Sequence, residues 1–282
     1  MRMMFSARAM HNMAGGVERQ IITIMNEMVR RGHEVALFSW DHEDAQAFYP
    51  MDERLKWFKL DMGNPARRAS LGLRVKRVKK VRRLVEDFRP DVIVAFQGGA
   101  FRMLAFATLA TGIPVIVAER TSPTMYEHVG SRRKQQIELF SYRLAKRITV
   151  QFGRYRNFYP PYLRRKIVET PNPVRSAARL ACPAQPNAAG RYTLLSVGRL
   201  SFQKNFSALL EAFGELAEEF KCWDLRIVGE GEDRVALETM LEERPLLRGR
   251  ASLPGAQKTS RANMQQRTSS VSQRAGRAFR TH

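Results

Sequence analysis

The sequence contains few cysteines and no long apolar run. Cys182 and Cys222 are the only cysteines among the 282 residues, which excludes a disulfide framework and leaves too few thiolates for a four-cysteine zinc site. The longest uncharged run, from Met103 to Ala118, is shorter than the ~20 residues that span a bilayer and is interrupted by a glycine and a proline. The first residues are broken up by arginines and do not resemble a signal peptide. We therefore expect a cytoplasmic protein without a transmembrane helix.

Acidic residues are missing from one part of the chain. Residues 244–282 contain 9 basic and no acidic residues, residues 176–243 contain 7 basic and 11 acidic, and residues 1–175 contain 32 basic and 16 acidic. A formal net charge of +21 first suggests nucleic acid, because phosphates attract clustered Lys and Arg. Since the charge is divided among regions of different composition, we favour an anionic membrane surface or an anionic acceptor, and nucleic acid is the weaker alternative.

Strand-like apolar runs alternate with stretches of helical spacing, which predicts an α/β protein with two Rossmann-like parallel-sheet domains. Residues 1–175 form the first domain and residues 176–190, rich in Pro, Ala and Asn, form a linker. Residues 191–255 form a second, incomplete domain. Residues 256–282 have one aromatic residue and no apolar period, so this basic tail is predicted to be disordered.

Two loops contain residues suited to binding phosphate. Gly15 and Gly16 lie between the first predicted strand and helix, where glycine permits close backbone approach and a helix N-terminus attracts an anion. An ordinary tight turn is the alternative. Arg199 follows a predicted strand and Lys204 precedes the next helix, an arrangement suited to a diphosphate. The alternative is two exposed loop cations.

Several motifs together resemble one known family. Gly198-Arg199-Leu200 and Gln203-Lys204-Asn205, followed by an apolar helix, resemble the donor-binding segment of the family 4 glycosyltransferases. These are retaining enzymes with the two-domain GT-B fold. Gly15-Gly16-Val17-Glu18-Arg19 is similar to the family's first glycine loop, Glu119-Arg120-Thr121-Ser122-Pro123 to an acceptor-facing loop, and Leu253-Pro254-Gly255 to a later strand end.

The resemblance implies a hexosyltransferase that uses a sugar nucleotide and a polysaccharide or lipid-linked glycan acceptor. It implies no cofactor and no metal, because cations at the donor site neutralise the departing diphosphate. The residues it assigns are Arg199, Lys204, Gly15 and Gly16 for the diphosphate, Gly229, Glu230, Gly231, Pro254 and Gly255 for the nucleotide, and Glu119 (catalytic) and Arg120 on the acceptor side. For Glu119, a strand-end carboxylate paired with Arg120 is the alternative.

One departure from the family pattern concerns its last motif. Family members have a Glu-x7-Glu motif after Leu-Pro-Gly, whereas this chain has no acidic residue after Glu243. We expect that a frameshift or truncation near Lys258 has replaced the end of the second domain, and that activity is impaired. The alternative function is a non-catalytic basic protein that binds nucleic acid or an anionic membrane surface.

Two basic segments favour contact with a membrane surface. Residues 67–83, from Arg67 to Arg83, contain nine Lys or Arg along an apolar stripe, and residues 154–166, from Arg154 to Lys166, are interleaved with aromatic residues. A basic amphipathic helix can lie on an anionic, peripheral membrane surface. The alternative for the first segment is a helix that covers the sheet and exposes its basic face to solvent.

Overall fold

The structure, a computed structural model, describes residues 1–63, 69–96, 98–121, 132–174, 182, 184–255 and 269–270. The chain divides into two compact units, Met1–Val174 and Arg175–His282. Each unit is built around a parallel β-sheet with helices beside it. The predicted α/β class with two parallel-sheet domains is confirmed.

In the ranges that the structure describes, the first unit contains seven strands and five α-helices. The strands are β1 (Arg2–Ser6), β2 (Glu34–Ser39), β3 (Lys56–Lys59), β4 (Val92–Phe96), β5 (Val115–Ala118), β6 (Arg147–Val150) and β7 (Ile167–Glu169). The helices are α1 (Gly16–Arg30), α2 (Leu71–Phe88), α3 (Gly98–Ala107), α4 (Arg132–Ser141) and α5 (Pro161–Arg164). The sheet order is β3-β2-β1-β4-β5-β6-β7, so successive strands are added on one side of β1 up to β3 and on its other side from β4 onward. In open parallel sheets, ligands bind beside the carboxyl ends of the strands at such a point.

The sheet of the first unit is buried on both faces. Consecutive strand side chains point to opposite faces, and accordingly Met4 of β1 packs in one core cluster with Val81 of α2. Phe5, the next residue, packs in the other cluster with Ile21 and Met25 of α1. Burial on both faces explains why these strands are nearly continuous apolar runs.

The second unit contains a smaller parallel sheet. Its strands are β8 (Tyr192–Val197), β9 (Trp223–Val228), β10 (Ala251–Ser252) and β11 (Ser269–Ser270), in the order β10-β9-β8-β11, and its α-helices are α6 (Phe206–Leu216) and α7 (Arg234–Glu242). Leu210, Phe213 and Ile227 form part of its core.

The two residues of β11 lie within the segment 256–282, for which we predicted disorder. They pair in parallel with Leu194 and Leu195 of β8, because a sheet edge offers unpaired backbone groups to any nearby chain. The disorder of this segment stays a prediction. The other residues of this segment lie outside the described ranges.

The basic helix α2 covers the sheet only with its C-terminal half. Val81 and Val85 are fully buried, whereas Leu71 is 79% exposed and Val75 is 52% exposed. The predicted apolar stripe is therefore a core contact at one end and a solvent-exposed surface at the other. Across the described residues, no helix combines the length and the apolar character that a membrane crossing requires.

Candidate functional site

The loops that follow β8, β9 and β10 meet at one edge of the second sheet. The Leu200 amide donates to the Glu230 carbonyl at 2.9 Å, and the Gly229 amide donates to the Gly255 carbonyl at 3.2 Å. Three segments that the sequence analysis assigned to donor binding are thus joined by backbone hydrogen bonds. Parallel sheets bind ligands at this carboxyl edge.

Close packing of these loops explains why positions 229 and 231 are occupied by glycine. A Cβ on Gly229 would lie 1.8 Å from the Gly198 carbonyl oxygen, and a Cβ on Gly231 would lie 2.1 Å from the Leu200 carbonyl oxygen. Both distances are far inside van der Waals contact, so only glycine allows the second loop to lie against the first. The Gly-Glu-Gly turn therefore has a packing role, and its contact with a nucleotide stays a prediction.

The predicted diphosphate ligands Arg199 and Lys204 lie on the surface of this edge. Arg199 is 72% exposed and its Nη2 lies 3.0 Å from an oxygen of Glu232. Lys204 ends the short 3₁₀ helix Phe202–Lys204, and its Cε lies 3.5 Å from where a Cβ of Gly198 would stand. The Asn205 side chain does not cap the first amides of α6, and a helix N-terminus of this kind attracts anions.

Glu232 is a charged residue of this site that the sequence analysis missed. The pKa of Glu232 is lowered, first by its own backbone amide and then by the Arg199 charge. Because both side chains are largely exposed to water, which screens their charges, the pair contributes little to stability. The Arg199–Glu232 contact can therefore be broken at little cost.

Arg234, also missed, connects the glycine turn to the Leu-Pro-Gly segment. Its Nη1 lies 2.8 Å from Glu230 Oε1 and its Nη2 donates to the Leu253 carbonyl at 3.0 Å. Pro254 is exposed, and Gly255 adopts a φ of +83°, in the left-handed region. Glu230, predicted to bind the nucleotide, is thus already paired with Arg234.

In the first unit, the glycine loop begins α1 as predicted. Gly15 is the N-cap residue, and an oxygen of Glu18 lies 2.1 Å from where its Cβ would stand. The corresponding space at Gly16 is open. A carboxylate is favourable beside a helix N-terminus, so Glu18 takes part of the position that we predicted for a phosphate.

The loop that leads to these glycines is held by the segment after β2. The buried carboxylate of Asp41 accepts hydrogen bonds from the Met10 amide at 2.8 Å and the His11 amide at 3.1 Å. The Tyr49 hydroxyl donates to the Ala14 carbonyl at 2.9 Å. The sequence analysis did not single out Asp41 or Tyr49, because their partners lie 30 or more positions away.

Glu119 follows β5 and is directed into the interior of the first unit. The residue is 5% exposed, and its carboxylate accepts a hydrogen bond from the Tyr142 hydroxyl, which also lies 3.1 Å from Glu138 Oε1. Burial raises the pKa of Glu119 to about 7; Tyr142 and Arg120 oppose this shift and Glu138 adds to it. The cavity beside Glu119 has room for about one water molecule.

Arg120, the next residue, points away from Glu119. Its Nη1 donates to the Thr170 carbonyl at 3.1 Å and to Asn172 Oδ1 at 3.4 Å, and its guanidinium lies 5.4 Å from the centre of the Phe96 ring. Among the described residues the structure pairs Glu119 with Tyr142 and not with Arg120, so the alternative of a Glu119–Arg120 ion pair is wrong. Neighbouring residues of an extended segment point to opposite sides. Residues 122–131 of this loop lie outside the described ranges.

No metal site is found in the part of the chain that the structure describes: nowhere in it do three or more His, Cys, Asp or Glu side chains form a group suited to a metal ion. At the carboxyl edge of the second sheet, Arg199 and Lys204 lie in the loop that leads to the uncapped N-terminus of α6.

Two protein families match the two units. Residues 15–159, just over half of the chain, match the family described as "Glycosyl transferase 4-like domain", and residues 183–260 match "Glycosyl transferases group 1". The chain belongs to the glycosyltransferases. This membership confirms the coarse prediction of a transferase.

Curated relatives agree with this membership. An uncharacterized glycosyltransferase of Haemophilus influenzae is 24% identical over 237 residues, covering 80% of this chain and 62% of its own length. The amylovoran biosynthesis glycosyltransferase AmsD of Erwinia amylovora is 22% identical over 231 residues, covering 79% of this chain and 61% of its own length. The chain thus spans about three fifths of the length of these relatives.

Solved structures show the same fold. The lipopolysaccharide outer core galactosyltransferase WaaB in its apo form has a TM-score of 0.65 at 19% identity, with 92% of this chain and 69% of that chain covered. Anabaena Alr3699/HepE in complex with UDP and glucose has a TM-score of 0.65 at 17% identity, with 91% and 70% covered. The glycosyltransferase therefore has the GT-B type of fold.

Proposed function

We propose that this glycosyltransferase transfers a hexosyl group from a sugar nucleotide to a polysaccharide or lipid-linked glycan acceptor. The supporting observation is the edge of the second sheet, where three strand ends bring Arg199 and the Gly-Glu-Gly turn together. Neither feature alone indicates a donor site. The proposal is supported by their combination, within the segment that matches the group 1 glycosyltransferases.

The proposed donor chemistry relies on cations of the protein. Arg199 and Lys204 bind the diphosphate and stabilise the negative charge that grows on it as the sugar leaves. The first amides of α6 add hydrogen-bond donors at the same place. In this proposal the enzyme needs neither a metal ion nor a cofactor, and by its resemblance it retains the anomeric configuration. The complex of HepE with UDP and glucose supports UDP-glucose as the first donor to test.

On the acceptor side, the structure favours a positioning role for Glu119 in place of the predicted catalytic one. A catalytic carboxylate must reach the reacting atoms, whereas this one is buried against Tyr142. We propose that Glu119 holds the end of β5, from which Arg120 and the acceptor loop begin. Gly15 and Gly16 remain proposed contacts of the donor diphosphate.

Residues 244–282 supply no pair of carboxylates to the proposed site, and we propose that transfer by these 282 residues alone is slow. No acidic residue follows Glu243, so this chain supplies no Glu-x7-Glu motif after Leu-Pro-Gly. Slow transfer with intact diphosphate binding is the expected result. The membrane contact proposed for residues 67–83 and 154–166 is separate from this chemistry, and the exposed basic surface of the first unit supports it.

Calorimetric titration with UDP-glucose tests the donor site. We expect saturable binding, weakened about tenfold by Arg199→Ala and by Lys204→Ala, since a charge-assisted hydrogen bond contributes about 1.5–3 kcal/mol. Lys221→Ala is the matched control, because Lys221 is an exposed cation that precedes β9 at the opposite edge of the same sheet. If the three variants bind alike, or if UDP, UDP-glucose and other sugar nucleotides all fail to bind, the proposed function is wrong.

A further inference from the structure

Four cations meet where β6 and β7 begin. Lys166 Nζ donates to the Arg143 carbonyl at 2.6 Å and to the Ala145 carbonyl at 2.8 Å. Burial and the nearby charges of Arg143, Arg147 and Lys146 lower the pKa of Lys166. Within the described ranges, none of these four cations forms an ion pair with a carboxylate. Their charge is therefore available to an anionic partner.

Large apolar side chains surround this cluster and are exposed to solvent. Phe140 is 62% exposed, Leu144 is 58% exposed and Tyr162 is 48% exposed. The Arg143 guanidinium lies 5.2 Å from the centre of the Phe140 ring and 5.3 Å from that of Tyr162, so the rings and the cations form one surface. We call this surface the cation–aromatic patch; it consists of Phe140, Arg143, Leu144, Lys146, Arg147, Tyr162 and Lys166.

We infer that the cation–aromatic patch binds the surface of a membrane that contains anionic phospholipids. Contiguous exposed apolar side chains mark an interaction site. Lipid headgroups match the cations, and the boundary between headgroups and acyl chains accepts the ends of Phe140, Leu144 and Tyr162. Nucleic acid would pair with the cations and stack on the rings, but it would leave Leu144 without a matching environment.

The patch differs from the basic segments that the sequence indicated. In α2, Val81 and Val85 are buried in the core, so that helix cannot offer its whole apolar stripe to a membrane. Residues 154–166 supply Tyr162 and Lys166, whereas Phe140 and Arg143 come from the chain before β6. The inference therefore moves the proposed membrane contact away from α2 to this patch, which keeps part of residues 154–166, and it does not rest on the proposed transfer reaction.

In the first sheet, the patch lies at the edge opposite to Gly15, Gly16 and Arg120, the residues of this unit that we assigned to substrate binding. Lys146 precedes β6 and Lys166 precedes β7, at the amino ends of these strands. Gly15, Gly16 and Arg120 follow the carboxyl ends of β1 and β5. Membrane binding and nucleotide-sugar binding can therefore be measured independently on the same protein.

Co-sedimentation of the full chain with phospholipid vesicles tests the inference. We expect binding to vesicles of equal parts phosphatidylglycerol and phosphatidylcholine, and little binding to phosphatidylcholine alone. Arg143→Gln with Arg147→Gln should weaken binding about thirtyfold, because each basic residue near an anionic surface contributes about a factor of five. Phe140→Ala with Tyr162→Ala should weaken binding at least tenfold, and this loss should persist at high salt.

The matched control removes two exposed cations from α2, with Arg74→Gln and Lys79→Gln. It changes the net charge as much as the Arg143/Arg147 variant and should weaken binding no more than about threefold. If the control loses binding and the patch variants keep it, the membrane surface is α2 and the inference is wrong. It is equally wrong if the patch variants lose RNA binding while vesicle binding is unchanged. UDP-glucose binding is measured on the same patch variants. If it is unchanged while vesicle binding is lost, the loss concerns the membrane surface and not the proposed transfer function.

Discussion

The hydroxyl of Tyr142 donates a hydrogen bond to the buried carboxylate of Glu119. Tyr142 lies 23 positions after Glu119, in the 3₁₀ helix Tyr142–Leu144 that precedes β6. Glu138 Oε1 is also within 3.1 Å of this hydroxyl. A phenol has a single proton to donate, so two negative carboxylates cannot both be satisfied by it. Burial, with the nearby charge of Glu138 added to it, is the physical reason to expect that Glu119 holds its proton up to a pKa of about 7.

Stability should therefore decrease as the pH rises through the titration of Glu119. The folded protein holds this proton up to a pKa of about 7, whereas the unfolded chain releases it near the ordinary value of 4.5. The folded state binds more protons between these values, so the free energy of unfolding falls with pH there and is lower by about 3 kcal/mol above pH 7. Urea unfolding of the protein and of Glu119→Gln, at pH 5, 6, 7 and 8, measures this change.

Glu119→Gln should have a flatter profile, because an amide oxygen accepts the same hydrogen bond without titrating. Glu27 and Asp52 do not interfere, since their arginine partners lower the pKa of each to about 2 and they titrate below this range. Parallel profiles for the two proteins would show that Glu119 does not titrate between pH 4.5 and 7.

Removing the Tyr142 hydroxyl should destabilise the protein most at alkaline pH. Tyr142→Phe leaves the buried carboxylate of Glu119 without this donor, which costs about 1–3 kcal/mol when the carboxylate is charged. The loss in Tyr142→Phe should be larger at pH 8 than at pH 5. Tyr155→Phe is the control, a half-buried tyrosine of the same unit, and it should show no such pH dependence. A loss of equal size at both pH values contradicts the proposed interaction.

Asp41→Ala should loosen the loop that leads to the glycines. The variant leaves the Met10 and His11 amides without their acceptor, and we expect a loss of about 2–4 kcal/mol in the free energy of unfolding. Hydrogen exchange of the amides of residues 8–15 should become faster. Asp44→Ala removes an exposed carboxylate of the neighbouring segment and should change neither quantity. Unchanged exchange in Asp41→Ala would mean that other contacts hold the loop.

Gly229→Ala should separate the loops of the donor edge. The new Cβ would lie 1.8 Å from the Gly198 carbonyl oxygen, so the backbone must move, and we expect the second unit to lose about 1–3 kcal/mol. The control is Gly214→Ala in α6, where the added Cβ meets only Leu247 at an ordinary 3.9 Å. That variant should be neutral or more stable, because alanine favours the helix by about 1 kcal/mol over glycine. Equal stability of the two variants would contradict the close approach of the loops.

The sequence predicts the order of strands and helices well, because burial on both faces leaves a clear apolar pattern. It also places Arg199, Gly229 and Gly255 after strands, and carboxyl ends of parallel strands meet at one edge. It does not predict the direction of Glu119, which depends on where β5 ends to within one residue. Arg199 and Glu232 lie 33 positions apart in the chain and meet only because two loops pack together. No local sequence pattern predicts such a contact.

The exchange of Glu232 for a diphosphate can be tested with a single variant. In Glu232→Gln, Arg199 no longer has a competing anion, so UDP should bind more tightly, by up to about fivefold, because an exposed ion pair is weak. Arg199→Ala should weaken UDP binding also when Glu232 is replaced by Gln, because the loss comes from the contact between Arg199 and the diphosphate. Glu242→Gln, at the exposed end of α7, controls for the change in net charge and should leave UDP affinity within about a factor of two. Weaker UDP binding in Glu232→Gln would instead show that Glu232 holds Arg199 in the orientation that binds the nucleotide, and that the pair assists binding rather than competing with it.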